Sequence, residues 1–229
     1  LTQNTALTYL NWKGNNPNSF GGINYLDLSQ NTALDTLIYY YPTSLDLSQN
    51  TALTYLECNS SQITSLDLSQ NTALTKLSWY NNQITSLDLS QNTALTYLYC
   101  GKGGGGANAA LTSLDVSQNT ALTYLNCENN QLTSLDVTQN TALTYLNCGN
   151  NQLTSLDVTQ NTALTSLYCY NPNPFNTFFA GNQITSLDVT QNTALTQLWC
   201  GFNPLTSLDL SQNTALTKLS CYNNQITSL

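Results

Sequence analysis

The chain contains no histidine and no methionine, its four basic residues are all lysine, and only 7% of its residues are charged. Each gap removes a class of function. Without histidine no side chain titrates near neutrality at its ordinary pKa, so general acid–base chemistry has no ready carrier. Without arginine there is no planar fork to clamp a phosphate or a carboxylate. No serine stands beside a base and no phosphate loop is present, so the chain reads as non-enzymatic and without a cofactor. Lys13, Lys76, Lys102 and Lys218 are scattered against a net charge of −8, which excludes nucleic acid and an anionic membrane surface, since both need clustered cations. No apolar run approaches the roughly 18 residues of a membrane span. The start shows no basic segment followed by an apolar one, so any export signal is expected to lie outside these residues.

What is present is repetition. The unit read most clearly at 111–131, LTSLDVSQNTALTYLNCENNQ, recurs along the whole chain, starting near Ile23, Pro42, Ile63, Ile84, Leu111, Leu132, Leu153, Ile184 and Leu205, with partial units at both ends. A fixed period of 21 residues signals a solenoid in which each unit buries its apolar edge only against its neighbours. Residues 1–229 are therefore expected to form one array of about ten units, on the order of 50 Å long at about 4.8 Å per rung. The chain opens and stops inside a unit without polar caps, which reads as a fragment of a longer protein. Its open apolar edges also suit end-to-end self-association.

Leu122, Leu125, Cys127, Asn130 and Leu132 give the spacing LxxLxCxxNxL, and Leu132, Leu135 and Val137 continue the alternation. Period-two alternation predicts half-buried strands. The linking SQNTA is rich in side chains that bond local backbone, and 21 residues leave no room for a long helix. The first stretch resembles the leucine-rich repeat family over the whole length. LTSLDVSQNTALTYLNCxNNQ is similar to its bacterial 21-residue, internalin J-like subclass, in which a cysteine replaces one core leucine. The resemblance implies a β-rich, right-handed solenoid with a parallel concave sheet, short extended or 3-10 segments on the convex side, and little α-helix. It also implies binding or adhesion, extracellular or at the bacterial cell surface.

Several columns read as scaffold. Cys58, Cys100, Cys127, Cys148, Cys169, Cys200 and Cys221 share one position with Trp12, Tyr39 and Trp79, and a site that accepts all three types is an inward packing site. Free buried thiols are expected there, because an in-register parallel ladder points adjacent side chains away from disulfide geometry. CxxC metal spacing is missing, so no metal is expected. The resemblance gives Asn82, Asn130, Asn151 and Asn224 the role of bonding the turn backbone, and Asn119, Asn140, Asn161 and Asn192 suggest a second such ladder. Asp27, Asp46, Asp67, Asp88, Asp115, Asp136, Asp157, Asp188 and Asp209 form an acidic column. Like charges on neighbouring rungs repel; hydrogen bonds to nearby Ser, Thr and backbone donors, with solvent screening, are the expected relief, and bridging cations the alternative.

Information lies where units differ. QNTAL is the same in every full unit, whereas the positions flanking the second leucine vary. Those positions point outward and carry Tyr97, Tyr99, Tyr124, Tyr145, Tyr168 and Trp199, which are expected to form one contiguous strip, with Tyr170 just beyond. Two readings stand side by side: exposed aromatics as a binding surface for protein or carbohydrate, and cross-strand pairing that only stabilises the sheet.

Length changes fall at one junction, after the Cys position. Against the 21-residue period, the intervals Trp12 to Tyr39 and Cys100 to Cys127 are each longer by six residues, Cys169 to Cys200 is longer by ten, and Tyr39 to Cys58 is shorter by two. Inserts near 13–22, 101–110 and 170–183 should thus leave one edge of the solenoid, where Phe175, Phe178 and Phe179 are either contact residues or packing for the flank. Asn59-Ser60-Ser61 fits a glycosylation sequon and Asp35-Thr36-Leu37 an O-linked acceptor pattern, both weak signals. The functional expectation is a secreted or surface binding module on the aromatic strip and loop edge. A structural spacer or filament subunit, and an engineered consensus array, are the alternatives.

Overall fold

The computed structural model describes residues 1–13, 25–59, 63–80, 83–101, 110–170 and 182–227. They form ten strands: β1 (Tyr9–Lys13), β2 (Thr36–Tyr40), β3 (Tyr55–Asn59), β4 (Lys76–Ser78), β5 (Tyr97–Tyr99), β6 (Tyr124–Asn126), β7 (Tyr145–Asn147), β8 (Ser166–Tyr168), β9 (Gln197–Trp199) and β10 (Lys218–Ser220). All lie in one sheet in chain order, and every neighbouring pair is parallel and in register, with Leu98 opposite Leu125 and Leu125 opposite Leu146. A strict period produces this register: a slip of one residue would turn every core leucine to solvent.

The sheet's inner face is the leucine column, from Leu37 to Leu198 fully buried. Behind it run the leucines or valines of the LDL and LDV segments, such as Val116, Val137 and Val158. The cysteine column stands in the same core. Cys58, Cys100, Cys127, Cys148, Cys169 and Cys200 are free and buried, whereas Cys221 is only half-buried. Burial pushes the thiols of Cys100, Cys148 and Cys200 up to about 12 and those of Cys127 and Cys169 well upward. They are packing groups, not nucleophiles.

Each coil closes through two back-to-back turns. Asn31 N–H donates to Leu28 O at 2.9 Å and Leu34 N–H to Asn31 O at 3.0 Å, the bonding of a 3-10 turn that never continues into a helix among the described residues. The acidic column opens this turn. Asp46 Oδ1 accepts the Ser48 N–H at 2.9 Å, and Asp136 Oδ1 accepts both the N–H (2.9 Å) and the hydroxyl (2.7 Å) of Thr138. These bonds to the ionised form outweigh like-charge repulsion between coils and hold the carboxyls below their usual range. The expected hydrogen-bonded, solvent-facing aspartates are present.

Three ladders link successive coils, the first of them from Asn130 to Asn224 among the described residues. Asn151 Nδ2 donates to Cys127 O and Cys148 O, both at 3.0 Å, and its Oδ1 accepts Leu132 N–H at 3.1 Å. Asn130, Asn182, Asn203 and Asn224 repeat this pattern. Asn182 and Asn203 had no place in the sequence reading, because an insert and the segment GFNPL hide their frame; Asn82 lies outside the described residues. In the QNTA ladder Asn140 Nδ2 donates to Val116 O at 2.9 Å and Asn119 O at 2.8 Å, while its buried Oδ1 has no partner. The third ladder, unread in the sequence, links threonines: Thr144 Oγ1 donates to Thr123 O at 3.0 Å and Thr165 Oγ1 to Thr144 O at 2.9 Å.

Candidate functional site on the outward face of the sheet

Because strand side chains alternate, the residues flanking each core leucine must face outward. The first outward column holds Tyr97, Tyr124 and Tyr145 on three successive rungs of β5, β6 and β7. Their rings stack nearly flat, at 4.3 Å and 10° between Tyr97 and Tyr124, and 4.4 Å and 7° between Tyr124 and Tyr145. The next rung carries Ser166 in that column, so the aromatic run steps sideways to Tyr168, 5.4 Å from Tyr145 and tilted by 38°. Tyr168, Tyr170 and Trp199 then form a triangle of tilted and edge-on rings, with centroids 5.5 to 6.5 Å apart. The Tyr168 hydroxyl donates to Gln197 Oε1 at 2.9 Å, which ties β8 to β9.

Six of the expected site residues, Tyr97, Tyr124, Tyr145, Tyr168, Tyr170 and Trp199, are thereby brought into one diagonal run. Tyr99 is not part of it. It stacks on Tyr80 instead, at 5.6 Å and 22°, because Asn126 and Asn147 succeed it in its own column and offer no ring. Phe175, Phe178 and Phe179, with most of the inserts, lie outside the described residues.

A third outward column, one residue beyond the cysteines, was missed apart from Tyr170. From the fourth rung onward it alternates bulk with glycine: Tyr80, Gly101, Glu128, Gly149, Tyr170, Gly201, Tyr222. The bulky side chain leans over the preceding glycine. A Cβ on Gly149 would stand 2.7 Å from Tyr170 O and 3.6 Å from Tyr170 Cδ1, and one on Gly201 would stand 3.0 Å from Tyr222 Cε1. Counting one past each cysteine would have exposed this alternation.

Two carboxylates stand among these rings. Glu57 in β3 accepts the hydroxyls of Tyr40 and Tyr55, the latter at 2.8 Å, and the Asn59 amide at 2.8 Å. Asn59 also accepts Tyr80 N–H at 2.8 Å through Oδ1, so the sequon asparagine has both ends of its amide engaged. Glu128 accepts Asn147 Nδ2 at 2.8 Å and Asn126 Nδ2 at 3.4 Å. Burial raises the Tyr97 phenol to about 12, with the neighbouring Tyr124 adding to the effect. Tyr145, Tyr99 and Tyr55 are raised further, each first by burial. The rings are therefore neutral donors and apolar surface at any physiological pH. Among the described residues no three metal-ligating side chains converge.

A parallel in-register sheet, one leucine column, an asparagine ladder bonding the turns and a 21-residue period together define a leucine-rich repeat protein, and the chain belongs to that family. The profile described as Leucine Rich repeats (2 copies) matches residues 120–160. The chain is similar to the functional domain of InlJ from Listeria monocytogenes, itself described as including a cysteine ladder: 36% identity, TM-score 0.73, covering 98% of this chain and 51% of that one. It thus spans about half of that domain. It is also similar to the internalin InlF of Listeria monocytogenes, at 25% identity and TM-score 0.62 over 88% of this chain and 64% of that one. A leucine-rich repeat protein of Leptospira interrogans shares the fold at 21% identity and TM-score 0.65, covering 100% of this chain and 70% of that one. No curated protein matches the chain.

Proposed function

We propose that the chain is a protein-binding module of a bacterial surface or secreted protein, and that its partner lies on the outward sheet face along the run from Tyr97 to Trp199. The observation that carries this reading is the ring geometry. Tyrosines kept only to pair across strands would stop where the column loses its tyrosine, at Ser166. Here the run continues across columns into the Tyr168–Tyr170–Trp199 triangle. Large, half-buried aromatic groups with polar tips, on a rigid sheet, suit the centre of a protein interface.

The same geometry argues against a sugar platform along the column. Sugars stack on ring faces, but at 4.3–4.4 Å the faces of Tyr124 are covered by its two neighbours, leaving edges and hydroxyls outward. The similarity to InlJ and InlF supports an extracellular setting for such a module.

The test is capture on a panel of immobilised secreted and cell-surface proteins, with a glycan array run beside it. The unaltered chain is expected to capture a protein, and Tyr124→Ala with Trp199→Ala is expected to reduce that capture at least tenfold without loss of the β spectrum. Capture unaffected by the double change, or confined to glycans, would overturn the proposal.

A further inference from the structure

The two sheet-face carboxylates differ in how much of their bonding capacity is used. An ionised carboxylate offers about four lone-pair directions. Glu57 receives three donors from Tyr40, Tyr55 and Asn59 and is a structural knot. Glu128 receives two side-chain amides among the described residues, one of them long at 3.4 Å. These amides orient the carboxylate from Asn126 and Asn147 and leave capacity directed elsewhere.

Its surroundings are aromatic. Gly101 precedes it in the third column, and a Cβ there would meet Tyr99 Cε2 at 3.0 Å and Glu128 Cγ at 3.2 Å. The Tyr99 ring and the Glu128 stem thus close over the same glycine. On the other side comes Gly149, over which Tyr170 leans, backed by Tyr168 and Trp199. The two glycines hold bulk away from Glu128, and the two rings flank it. The field of Glu128 also helps keep Tyr99 and Tyr170 protonated, after burial.

We propose that Glu128, flanked by Tyr99 and Tyr170, is the anchoring site for one arginine side chain of the bound protein. A guanidinium matches the three features present: a planar fork for the carboxylate oxygens, a face for aromatic edges and faces, and a positive charge on a chain of net charge −8. The inference rests on the reading of this face as protein-binding and specifies its chemistry. It also places the centre of recognition beside Tyr99, which the main aromatic run leaves out.

The probe is N-acetyl-arginine amide, titrated into the full chain at low ionic strength and followed by NMR, with the neutral isostere N-acetyl-citrulline amide as control. The expected result is saturable shifts at Glu128, Tyr99 and Tyr170 with the arginine probe, at least tenfold weaker with citrulline and with Glu128→Gln, and weakened by salt. Equal response to both probes, or none, would overturn the anchor without needing any variant to fold. Binding seen only after Lys102→Ala would also overturn it, by assigning the carboxylate to the chain's own lysine. The protein panel separates the two levels. If Glu128→Gln leaves capture intact while the Tyr124 and Trp199 changes abolish it, the protein-binding reading stands and the arginine anchor falls. If no protein is captured, the broader reading fails and the probe titration still decides the anchor.

Discussion

Asn151 and Asn140 are the same residue type, both fully buried, half a coil apart in one repeat unit, and they do different amounts of structural work. Asn151 satisfies two carbonyls and one N–H; Asn140 satisfies two carbonyls while its own Oδ1 stays unpaired. Replacing Asn151 by Ala leaves the buried Leu132 N–H bare, while Cys127 O and Cys148 O keep the amides of Asn130 and Asn182, and is expected to cost about 2–4 kcal/mol. Asn140→Ala should cost about 1–2 kcal/mol, because Val116 O and Asn119 O keep backbone donors and an unsatisfied oxygen leaves with the side chain. Urea midpoints of the two variants, compared directly, check the order; equal midpoints would refute the account by the bare Leu132 N–H. Residue-scale chemistry also explains Asn129, Asn150 and Asn223, whose φ values of 58°, 53° and 53° place them in the left-handed region that asparagine tolerates better than most. Phe202 occupies the same turn position at φ 58°, with its ring edge-on to Tyr222 at 4.8 Å.

At the scale of elements, the unit of interest is a pair of adjacent coils. The alternation of glycine and bulk in the third column lets one coil's side chain rest on the backbone of the coil before it. Gly149 is the tightest case, since an added Cβ would stand 2.7 Å from a carbonyl oxygen of Tyr170 that cannot rotate away. Gly149→Ala is therefore expected to destabilise by about 1–3 kcal/mol and to move Tyr170 out of the triangle with Tyr168 and Trp199. Trp fluorescence should report that displacement. An unchanged Trp199 emission and an unchanged melting temperature would show that the coil absorbs the methyl by sliding.

For the molecule as a whole, the acidic column makes stability depend on pH in one direction. Bonds from the Ser or Thr two residues on depress eight carboxyls of the column below 3.8: the hydroxyl bond leads at Asp27, Asp88 and Asp136, and the backbone bond at Asp46, Asp67, Asp115, Asp188 and Asp209. Folded values lowered relative to the unfolded chain contribute stability that is fully present above the unfolded carboxyl range and is lost as pH falls through the folded values. The melting temperature is expected to be level above about pH 5 and to fall steadily below about pH 4. A melting temperature that rises on acidification would mean that repulsion along the column dominates over the turn bonds. Because each coil contacts only its neighbours, the transition should broaden as it moves down.

The sequence by itself determined the solenoid, its register, the inward cysteines and the capped acidic turns, since a strict period repeats one local solution and local solutions are decided by patterning and hydrogen-bond chemistry. It also located the outward aromatics, because variation within a fixed repeat marks positions that packing does not govern. What it left undecided was who meets whom across rungs. Only the tertiary structure sent Tyr99 to Tyr80, carried the ring run across columns where Ser166 interrupts it, gave Glu57 three donors and Glu128 two among the described residues, and revealed the glycine notches of the third column. Those outcomes depend on side-chain direction and on distances between residues 17 to 31 apart in sequence, which a one-dimensional period does not encode.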